Sequence, residues 1–196
     1  MNEIITVEQK VLKKNDDIAA ELKARFDNAG VFVVNLMSSP GSGKTSLLER
    51  TLKIVSPALS VGVIEGDIQT NLDAERIAQY NIPVTQIITN GTCHLEAKMI
   101  DEAINKMPLK DLDILFIENV GNLVCPANYD LGEDAKVVVI STTEGDDKPA
   151  KYPGTFAQAS IVLINKIDLI DHVSFNLERV LADGSRVHYE GADVSW

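Results

Sequence analysis

The sequence predicts an α/β domain with a doubly wound, mainly parallel sheet, and three observations lead to that fold class. Six short apolar runs alternate with helix-like segments, which is the order expected for parallel strands joined by crossover helices. Several runs are continuous rather than alternating, as is typical of strands buried on both faces. The chain of 196 residues is long enough for one ordinary core and shows no repeat or linker that would divide it. The runs are VFVVNLM, VGVIEG, PVTQIIT, DILFIEN, KVVVIST and IVLINKID.

Helical periodicity predicts the elements between these strands. The first helix is predicted over residues 7–26, where apolar residues recur at spacings near four or seven along one face. Gly30 follows as a suitable C-terminal cap. Further helices are predicted over residues 45–55, 73–80, 95–107 and 175–181.

The composition excludes several classes of protein. A formal net charge of −11 argues against a general nucleic-acid binder, because such proteins need a basic face for phosphates. No apolar run approaches the roughly 20 residues of a membrane span, and the polar N-terminus lacks the apolar segment of a signal peptide. Two cysteines do not make a disulfide framework in a chain of this size. We therefore expect a cytoplasmic protein with free thiols, with neither nucleic acid nor membrane as a partner.

The strongest local motif is LMSSPGSGKTSLLE, in which an apolar strand leads through a glycine-containing loop into a helix. It matches the phosphate-binding pattern G-x-x-x-x-G-K-S/T except that Ser38 occupies the first glycine position. Lys44 can reach the β and γ phosphates, while the Thr45 hydroxyl is suited to Mg²⁺. Residues 31–196 are therefore predicted to form a P-loop NTPase domain, preceded by an N-terminal helix in residues 1–30. The predicted nucleotide-binding residues of this loop are Gly41, Ser42, Gly43, Lys44, Thr45 and Ser46.

A second motif selects the base. The stretch INKIDL places Asn165, Lys166 and Asp168 at a strand end, in the N-K-x-D pattern of GTPases. Asp168 can accept hydrogen bonds from N1–H and the 2-amino group of guanine, and adenine has neither donor. Asn165 is predicted to brace the loop, and Lys166 to pack its stem along the ring. The predicted nucleotide is therefore GTP or GDP.

The stretches FIENVGN and VIEGDIQT carry the predicted hydrolysis residues. Glu118 ends an apolar strand and is suited to Mg²⁺ directly or through water, while the N–H of Gly121 can approach the γ phosphate. Asp67 can hold a metal-bound water or orient the attacking water. Asp73 is interpreted as a helix N-cap in preference to a catalytic acid. No arginine finger is recognisable by pattern, so slow hydrolysis is expected. The predicted catalytic residues are Lys44, Asp67, Glu118 and Gly121, and the predicted Mg²⁺ ligands are Thr45, Asp67 and Glu118.

Taken together, five stretches resemble the nickel-incorporation GTPases that mature nickel–iron hydrogenase, the HypB family. The stretches are SSPGSGKTSLLE, IEGDIQTNLDAERI, GTCHLEAKMI, LFIENVGNLVCPANYDLGEDAKVVVISTTEGDDKP and INKIDL. The strings ENVGNLVCPA and STTEGDDKP are far more specific than the general nucleotide motifs. The resemblance covers roughly residues 7–177 and implies a P-loop fold of the dimerising GTPase class.

The resemblance also implies an activity and a second site. It implies Mg²⁺-dependent GTP hydrolysis, a homodimer promoted by GTP, and nickel delivery to a hydrogenase large-subunit precursor with other maturation proteins. It implies a site for Ni²⁺ or Zn²⁺ at Cys93, His94 and Cys125, whose thiolate and imidazole groups suit either ion. Three ligands leave at least one position to water or to a second subunit. Because Glu118, Gly121 and Cys125 share one loop, we hypothesise that nucleotide state changes metal affinity.

The resemblance leaves several points open. A family lysine after TEGDD lies near the partner's nucleotide, and Lys148 and Lys151 are both candidates. The sequence shows neither the N-terminal cysteine motif nor the histidine-rich tract of some members, so strong nickel storage is not expected. In the atypical end LADGSRVHYEGADVSW only Val194 and Ser195 hint at the family's guanine-contacting loop, and we interpret this end as truncated or altered. The alternative functions are an accessory GTPase for urease or another metalloenzyme, a P-loop small-molecule kinase, and a non-catalytic module that binds GTP or zinc.

Overall fold

The computed structural model describes residues 7–69 and 72–184, and within them six strands form one sheet. The strand order is β3-β2-β4-β1-β5-β6, and every neighbouring pair is parallel. The predicted doubly wound α/β class is thereby confirmed. The strands are β1 Phe32–Ser38, β2 Val61–Asp67, β3 Val84–Ile88, β4 Ile114–Glu118, β5 Ala135–Ser141 and β6 Ile161–Asn165.

The helices follow the predicted order, with shifted ends and two additions. Helix α1 extends one turn beyond the predicted end, and α4 begins two residues later than predicted and stops three residues earlier. Helices α5 and α6 were not predicted, and each has a proline in its first turn, where the missing N–H costs no hydrogen bond. The helices are α1 Val7–Ala29, α2 Lys44–Val55, α3 Leu72–Ala78, α4 Ala97–Ile104, α5 Lys148–Lys151, α6 Pro153–Gln158 and α7 Leu177–Gly184.

Helices cover both faces of the sheet, which explains the continuous apolar runs of the strands. On one face α1 and α4 pack on β1, β2 and β4, with Leu22, Phe26 and Ile100 fully buried between them. On the other face α2 and α3 bury Leu52 and Ile77 against the same strands and β5. Helix α1 therefore shares the core of the nucleotide domain, and the division of the chain at residue 30 stays a prediction. None of the described helices is long and apolar enough to cross a membrane.

The carboxyl ends of the strands form one rim, and this rim positions the functional residues. Strand β1 lies between β4 and β5, so the chain leaves β1 toward one edge of the sheet and later returns to build the other. Ligands bind in the crevice at such a switch point in open α/β sheets. The loops after β1, β2, β4 and β6 all open there. The atypical end of the chain, including Val194 and Ser195, lies outside the described residues.

Candidate functional site

The phosphate loop connects β1 to α2 and depends on two glycines with left-handed backbones. Gly41 has φ 79° and Gly43 has φ 89°, values that residues with a Cβ rarely adopt. A Cβ on Gly43 would lie 2.4 Å from Asn165 Nδ2, so no larger residue fits there without displacing that side chain. Gly43 precedes the first residue of α2, whose free N–H groups and dipole favour an anion.

A cleft of about 560 Å³ opens at this loop. Lys44 Nζ lies 2.5 Å from Glu118 Oε1, and the Thr45 hydroxyl donates to the same oxygen at 2.7 Å. Burial opposes ionisation of Glu118, but the Lys44 ammonium together with hydrogen bonds from Glu65, Lys44 and Thr45 outweighs it and lowers the pKa of that carboxyl. The cleft therefore contains an ionised carboxylate held by two phosphate-loop side chains. Its lining includes Lys44, Thr45, Glu65, Asp67, Glu118 and Gly121.

A second carboxyl group lies beside Glu118 and was not predicted from the sequence. Glu65 on β2 is the register partner of Glu118 on β4, and it is only 2% exposed. Burial, followed by the charge of Glu118, raises the pKa of Glu65 to about 10. A protonated Glu65 can donate a hydrogen bond to Glu118. If both carboxyl groups were ionised, Glu65 Oε1 and Glu118 Oε2 would have no hydrogen-bond donor among the described residues.

The oxygen groups around this pair fit a magnesium ion. Thr45, Asp67 and Glu118 all line the cleft and offer the hard oxygen ligands that Mg²⁺ requires. One oxygen of Asp67 accepts a hydrogen bond from the N–H of Gln69 at 2.8 Å, which fixes the carboxylate at the end of β2. Among the described residues, Glu118 Oε2 has no hydrogen-bond donor other than a protonated Glu65, which leaves room for a cation at this corner.

Helix α3 contributes a basic residue that sequence patterns did not single out. The guanidinium of Arg76 lines the cleft, where it donates to Glu49 of α2 at 2.6 Å and to Asp73 at 3.0 Å. Asp73 lies within the first turn of α3 instead of preceding it, so the predicted N-cap role is wrong. Arg76 also donates to Ser46 at 3.2 Å, which ties α3 to the phosphate-loop helix.

The N-K-x-D loop packs directly on the phosphate loop. Asn165 donates to the carbonyl of Ser42 at 2.9 Å, and Lys166 Nζ donates to the carbonyl of Gly41 at 2.6 Å. Lys166 has a left-handed backbone with φ 57°. Asp168 follows in a 3-10 turn and is exposed, so its carboxylate is accessible to a base.

The cysteine and histidine side chains converge at the same rim. Ligand atoms of Cys93, His94 and Cys125 all lie within 4.8 Å of one another. The two sulfurs are 2.8 Å apart, and Cys93 Sγ lies 3.8 Å from His94 Nδ1. Two thiols and an imidazole are the donors that zinc and nickel prefer, so these residues fit a metal of that type.

The surroundings of this cluster prepare it for a metal. Burial lowers the pKa of His94, so the imidazole is neutral and able to ligate at neutral pH. Its ring stacks on Tyr129 with centroids 3.9 Å apart, and its buried Nε2 lies 3.6 Å from Glu96, too far for a hydrogen bond. The adjacent Cys93 sulfur, with burial second, raises the pKa of Cys125. Metal binding at Cys125 therefore has to displace a proton.

One loop joins the cleft to the cluster. Gly121 lies so close to the phosphate loop that an added Cβ would meet three atoms of Pro40 at 3.3 Å. Asn122 follows and accepts hydrogen bonds from the N–H groups of Val124 at 2.7 Å and Cys125 at 3.3 Å. The chain thus runs from Glu118 in the cleft to Cys125 in the cluster through a turn held by its own side chain.

The two candidate lysines after TEGDD differ in their contacts. Lys151 pairs with Asp147 at 2.6 Å. Lys148 has its ammonium 5.8 Å from the centre of the Tyr152 ring, at the start of α5.

Known proteins match both the sequence and the fold. The model of the nucleotide-binding domain of the CobW/HypB/UreG family matches residues 31–192. The hydrogenase maturation factor HypB of Rhizobium leguminosarum bv. viciae is 52% identical over 185 residues, which cover 94% of this chain. This chain spans only 62% of that relative. The hydrogenase/urease maturation factor HypB of Helicobacter hepaticus is 46% identical over 183 residues, covering 91% of this chain and 75% of that protein.

A solved structure gives the same result. The crystal structure of HypB from Helicobacter pylori in complex with nickel has a TM-score of 0.84 at 44% identity, and the match covers 89% of this chain and 82% of that chain. Agreement at this level extends beyond a shared P-loop architecture. The chain therefore belongs to the CobW/HypB/UreG family of nucleotide-binding domains and, within it, to the HypB group.

Proposed function

We propose that this chain is a GTP-hydrolysing metallochaperone switch that binds nickel or zinc and assists nickel insertion into a nickel–iron hydrogenase precursor. The observation that carries the proposal is the convergence of Cys93, His94 and Cys125 on the rim that also holds the phosphate cleft. Relatives named hydrogenase maturation factors, and a related structure in complex with nickel, support the same function.

The cleft suggests how the chain handles the triphosphate. Lys44 exchanges its contact with Glu118 for phosphate oxygens, and the first turn of α2 binds the phosphates through backbone N–H groups. Thr45, Asp67 and Glu118 would hold Mg²⁺, which would supply positive charge against the triphosphate. Asp67 orients the attacking water, while the N–H of Gly121 detects the γ phosphate. Arg76 is committed to Glu49 and Asp73, which is in keeping with slow hydrolysis.

Guanine selectivity is assigned to Asp168. Asn165 and Lys166 fasten the base loop to the phosphate loop, so the position of the base is linked to that of the phosphates. An exposed carboxylate at Asp168 can accept the two donors of guanine that adenine lacks. Asp168→Asn is expected to relax the preference for GTP over ATP in a turnover assay, and an unchanged preference would remove this assignment.

In this proposal nickel is the ion that the chain binds and then delivers to the precursor. The cluster provides three ligands, and the remaining position falls to water or to the same residues of a second chain in a GTP-promoted homodimer. Because Lys151 is already paired with Asp147, Lys148 is the lysine that we assign to the partner's nucleotide. The hydrogenase precursor and other maturation proteins are the proposed partners, in the cytoplasm.

The decisive experiment is a nickel titration of the protein with GDP and with a non-hydrolysable GTP analogue, combined with phosphate release from GTP and ATP. GTP-selective release and a nickel affinity that differs between the two nucleotide states are expected. Equal nickel affinity in both states would contradict the switch. ATP-dependent transfer to an acceptor would favour a kinase instead.

A second client is favoured by one observation. The Helicobacter hepaticus relative is named a hydrogenase/urease maturation factor. Deletion of the chromosomal gene would decide between the two clients. Hydrogenase and urease activities are assayed in the deletion strain, first without and then with added nickel, which should restore an activity that depends on this chain. Loss of hydrogenase alone supports the leading proposal, and loss of urease extends the client set.

A further inference from the structure

A buried side-chain amide connects the two sites, and its role goes beyond the shared loop between Glu118 and Cys125. Asn119 directly follows β4 and is only 1% exposed. Its carboxamide oxygen accepts two hydrogen bonds, from the N–H of Leu95 at 3.1 Å and from the N–H of Val120 at 3.0 Å. The two donors belong to different loops that are 25 positions apart in the chain. One buried oxygen thus fixes both loops.

On the metal side, the residue that donates to Asn119 is Leu95, which lies next to the metal ligands. Leu95 immediately follows His94, and its side chain is fully buried. That side chain packs on Gly66, where an added Cβ would lie 2.8 Å from Leu95 Cδ1. Gly66 lies between the cleft residues Glu65 and Asp67. Leu95 therefore contacts the nucleotide region through its backbone and through its side chain.

On the nucleotide side, the second donor to Asn119 is Val120, in the turn formed by residues 119–122, which we call the phosphate-sensing turn because it contains Gly121. Val120 is buried, lines the cleft and is followed by Gly121, which touches Pro40 of the phosphate loop. The backbone N–H of Asn119 donates to the carbonyl of Leu36 on β1 at 3.0 Å, so its main chain is fixed to the sheet. A displacement of Val120 toward the γ phosphate therefore changes one of the two donors that hold the carboxamide oxygen.

The amide nitrogen of Asn119 has its own support. It donates to the carboxamide oxygen of Asn35 at 3.2 Å, and Asn35 in turn donates to the buried Glu133 at 3.1 Å. Buried polar groups that use both ends of an amide adopt one orientation, because rotation would leave them unpaired. The chain of amides thus fixes which end of Asn119 faces the two loops.

We infer that Asn119 is a positioning residue that couples the phosphate-sensing turn to the Cys93–His94 side of the metal site. This inference rests on the proposed function. Nucleotide state reaches Cys125 along the chain through Asn122, and it reaches Cys93 and His94 across the Asn119 hydrogen bond. The two halves of the ligand set are therefore adjusted by separate routes from one turn, and their spacing sets the metal affinity.

The test compares Asn119→Ala with Asn15→Ala in the full chain. Asn15 is a matched control, because its buried oxygen accepts from the N–H of Ala97 at 2.8 Å, two residues after Leu95. Asn15 lies on α1, which does not line the cleft. Nickel and zinc dissociation constants are measured with GDP and with a non-hydrolysable GTP analogue. For each metal, the coupling factor is the dissociation constant with GDP divided by the constant with the GTP analogue. Such factors are typically about 5- to 150-fold in allosteric proteins.

The wild type and Asn15→Ala are expected to share one coupling factor, whereas Asn119→Ala brings it to about one. If Asn119→Ala does not fold, Asn119→Ser replaces it, since its hydroxyl is one bond shorter and loses the reach to Leu95 N–H. If the wild-type coupling factor differs from a value of one and the Asn119 variant keeps the same factor, this inference is overturned but the proposed function stands. A wild-type factor of one overturns the proposed switch itself.

Discussion

The phosphate cleft and the thiol–imidazole cluster lie on the same rim but are held in different ways. In the cleft, Lys44 and Thr45 both bond Glu118, and the backbone of Gly43 fits only a glycine. In the cluster, the sulfurs of Cys93 and Cys125 mainly face each other and His94. The cleft is therefore pre-organised by paired charges and backbone geometry, while the cluster is supported by two loops.

This difference suits the cleft to phosphate binding and catalysis, and the cluster to reversible metal binding. The backbone of the phosphate loop is already in its binding conformation, so phosphate binding requires only the exchange of the Lys44–Glu118 contact, which favours affinity and catalysis. Ligands on two loops that are joined through the Asn119 side chain can change their spacing when that hydrogen bond changes, which suits a metal that has to be released. The comparison predicts that cleft variants lose activity outright, whereas cluster variants leave nucleotide binding intact.

Lys44→Ala is expected to have the largest effect. It removes the cation that faces the phosphates and leaves the buried Glu118 beside Glu65 without its ion-pair partner. GTP turnover should fall by at least about 10²- to 10³-fold, as when one pre-organised donor is lost from an active site. Phosphate release measures the effect, and circular dichroism checks the fold.

Lys53→Ala provides the matched control for this prediction, because Lys53 is an exposed lysine on the same helix. Its turnover should equal that of the wild type. Comparable loss in both variants would mean that charge on α2 matters in general, and the pre-organised cleft would lose its main support.

Cys125→Ala tests the other side of the comparison. Nickel affinity should fall by more than about 100-fold, since even groups that only support a ligand are worth 10- to 100-fold. Nucleotide affinity should not change, because Cys125 does not line the cleft. Isothermal titration with nickel and with GDP measures both, and Val124→Ala, at the exposed neighbour, serves as the control. Unchanged metal stoichiometry in Cys125→Ala would reduce this thiol to a packing residue.

The two regions also differ in how much of them the sequence predicts. The strands and the phosphate loop follow from local patterns, because continuous apolar runs and a strand–glycine–helix order determine them directly. The metal ligands came from a family resemblance, since two isolated cysteines carry no geometric pattern of their own. The helices α5 and α6 were missed because KPAKYPGTFAQ has two prolines and a glycine in a short segment, which looks like a loop.

The residues that no pattern indicated act through contacts between elements that are distant in the sequence. Glu65 matters because the register of β2 and β4 places it beside Glu118, and a register cannot be read from one strand. Asn119 and Leu95 meet only because two loops end at the same rim. Arg76 has the spacing of an ordinary helix salt bridge to Asp73, so only its position in the cleft reveals a further role.

Glu65→Gln sharpens the account of the cleft through pH. The folded pKa of Glu65 is about 10, above its unfolded value near 4.5, so the folded state binds this proton more tightly. Its contribution to stability is complete below pH 4.5 and is lost as the pH rises toward 10, by at most about 1.4 kcal/mol per pH unit. Glutamine keeps the shape of the protonated group and removes that slope.

Urea unfolding at pH 5.5 and 8.5, with a chelator and no nucleotide, measures this difference. The wild type should lose more stability than Glu65→Gln over the interval, and Glu102→Gln, at an exposed carboxyl group, should behave as the wild type. Equal pH slopes for the wild type and Glu65→Gln would mean that Glu65 is ionised in the folded protein.

Tyr129→Leu is expected to have the smallest effect and tests how loosely the cluster is held. Tyr129 stacks on the His94 ring, and a stacked aromatic pair is worth about 0.5–1.5 kcal/mol. If stacking is what orients the imidazole, nickel affinity in Tyr129→Leu should fall by roughly 2- to 12-fold. Tyr129→Phe keeps the ring and should bind nickel as the wild type does. A loss in Tyr129→Phe that equals the loss in Tyr129→Leu would transfer the effect to the phenol hydroxyl. His94 would then be oriented by a polar contact, and the cluster would resemble the cleft more closely than the two loops suggest.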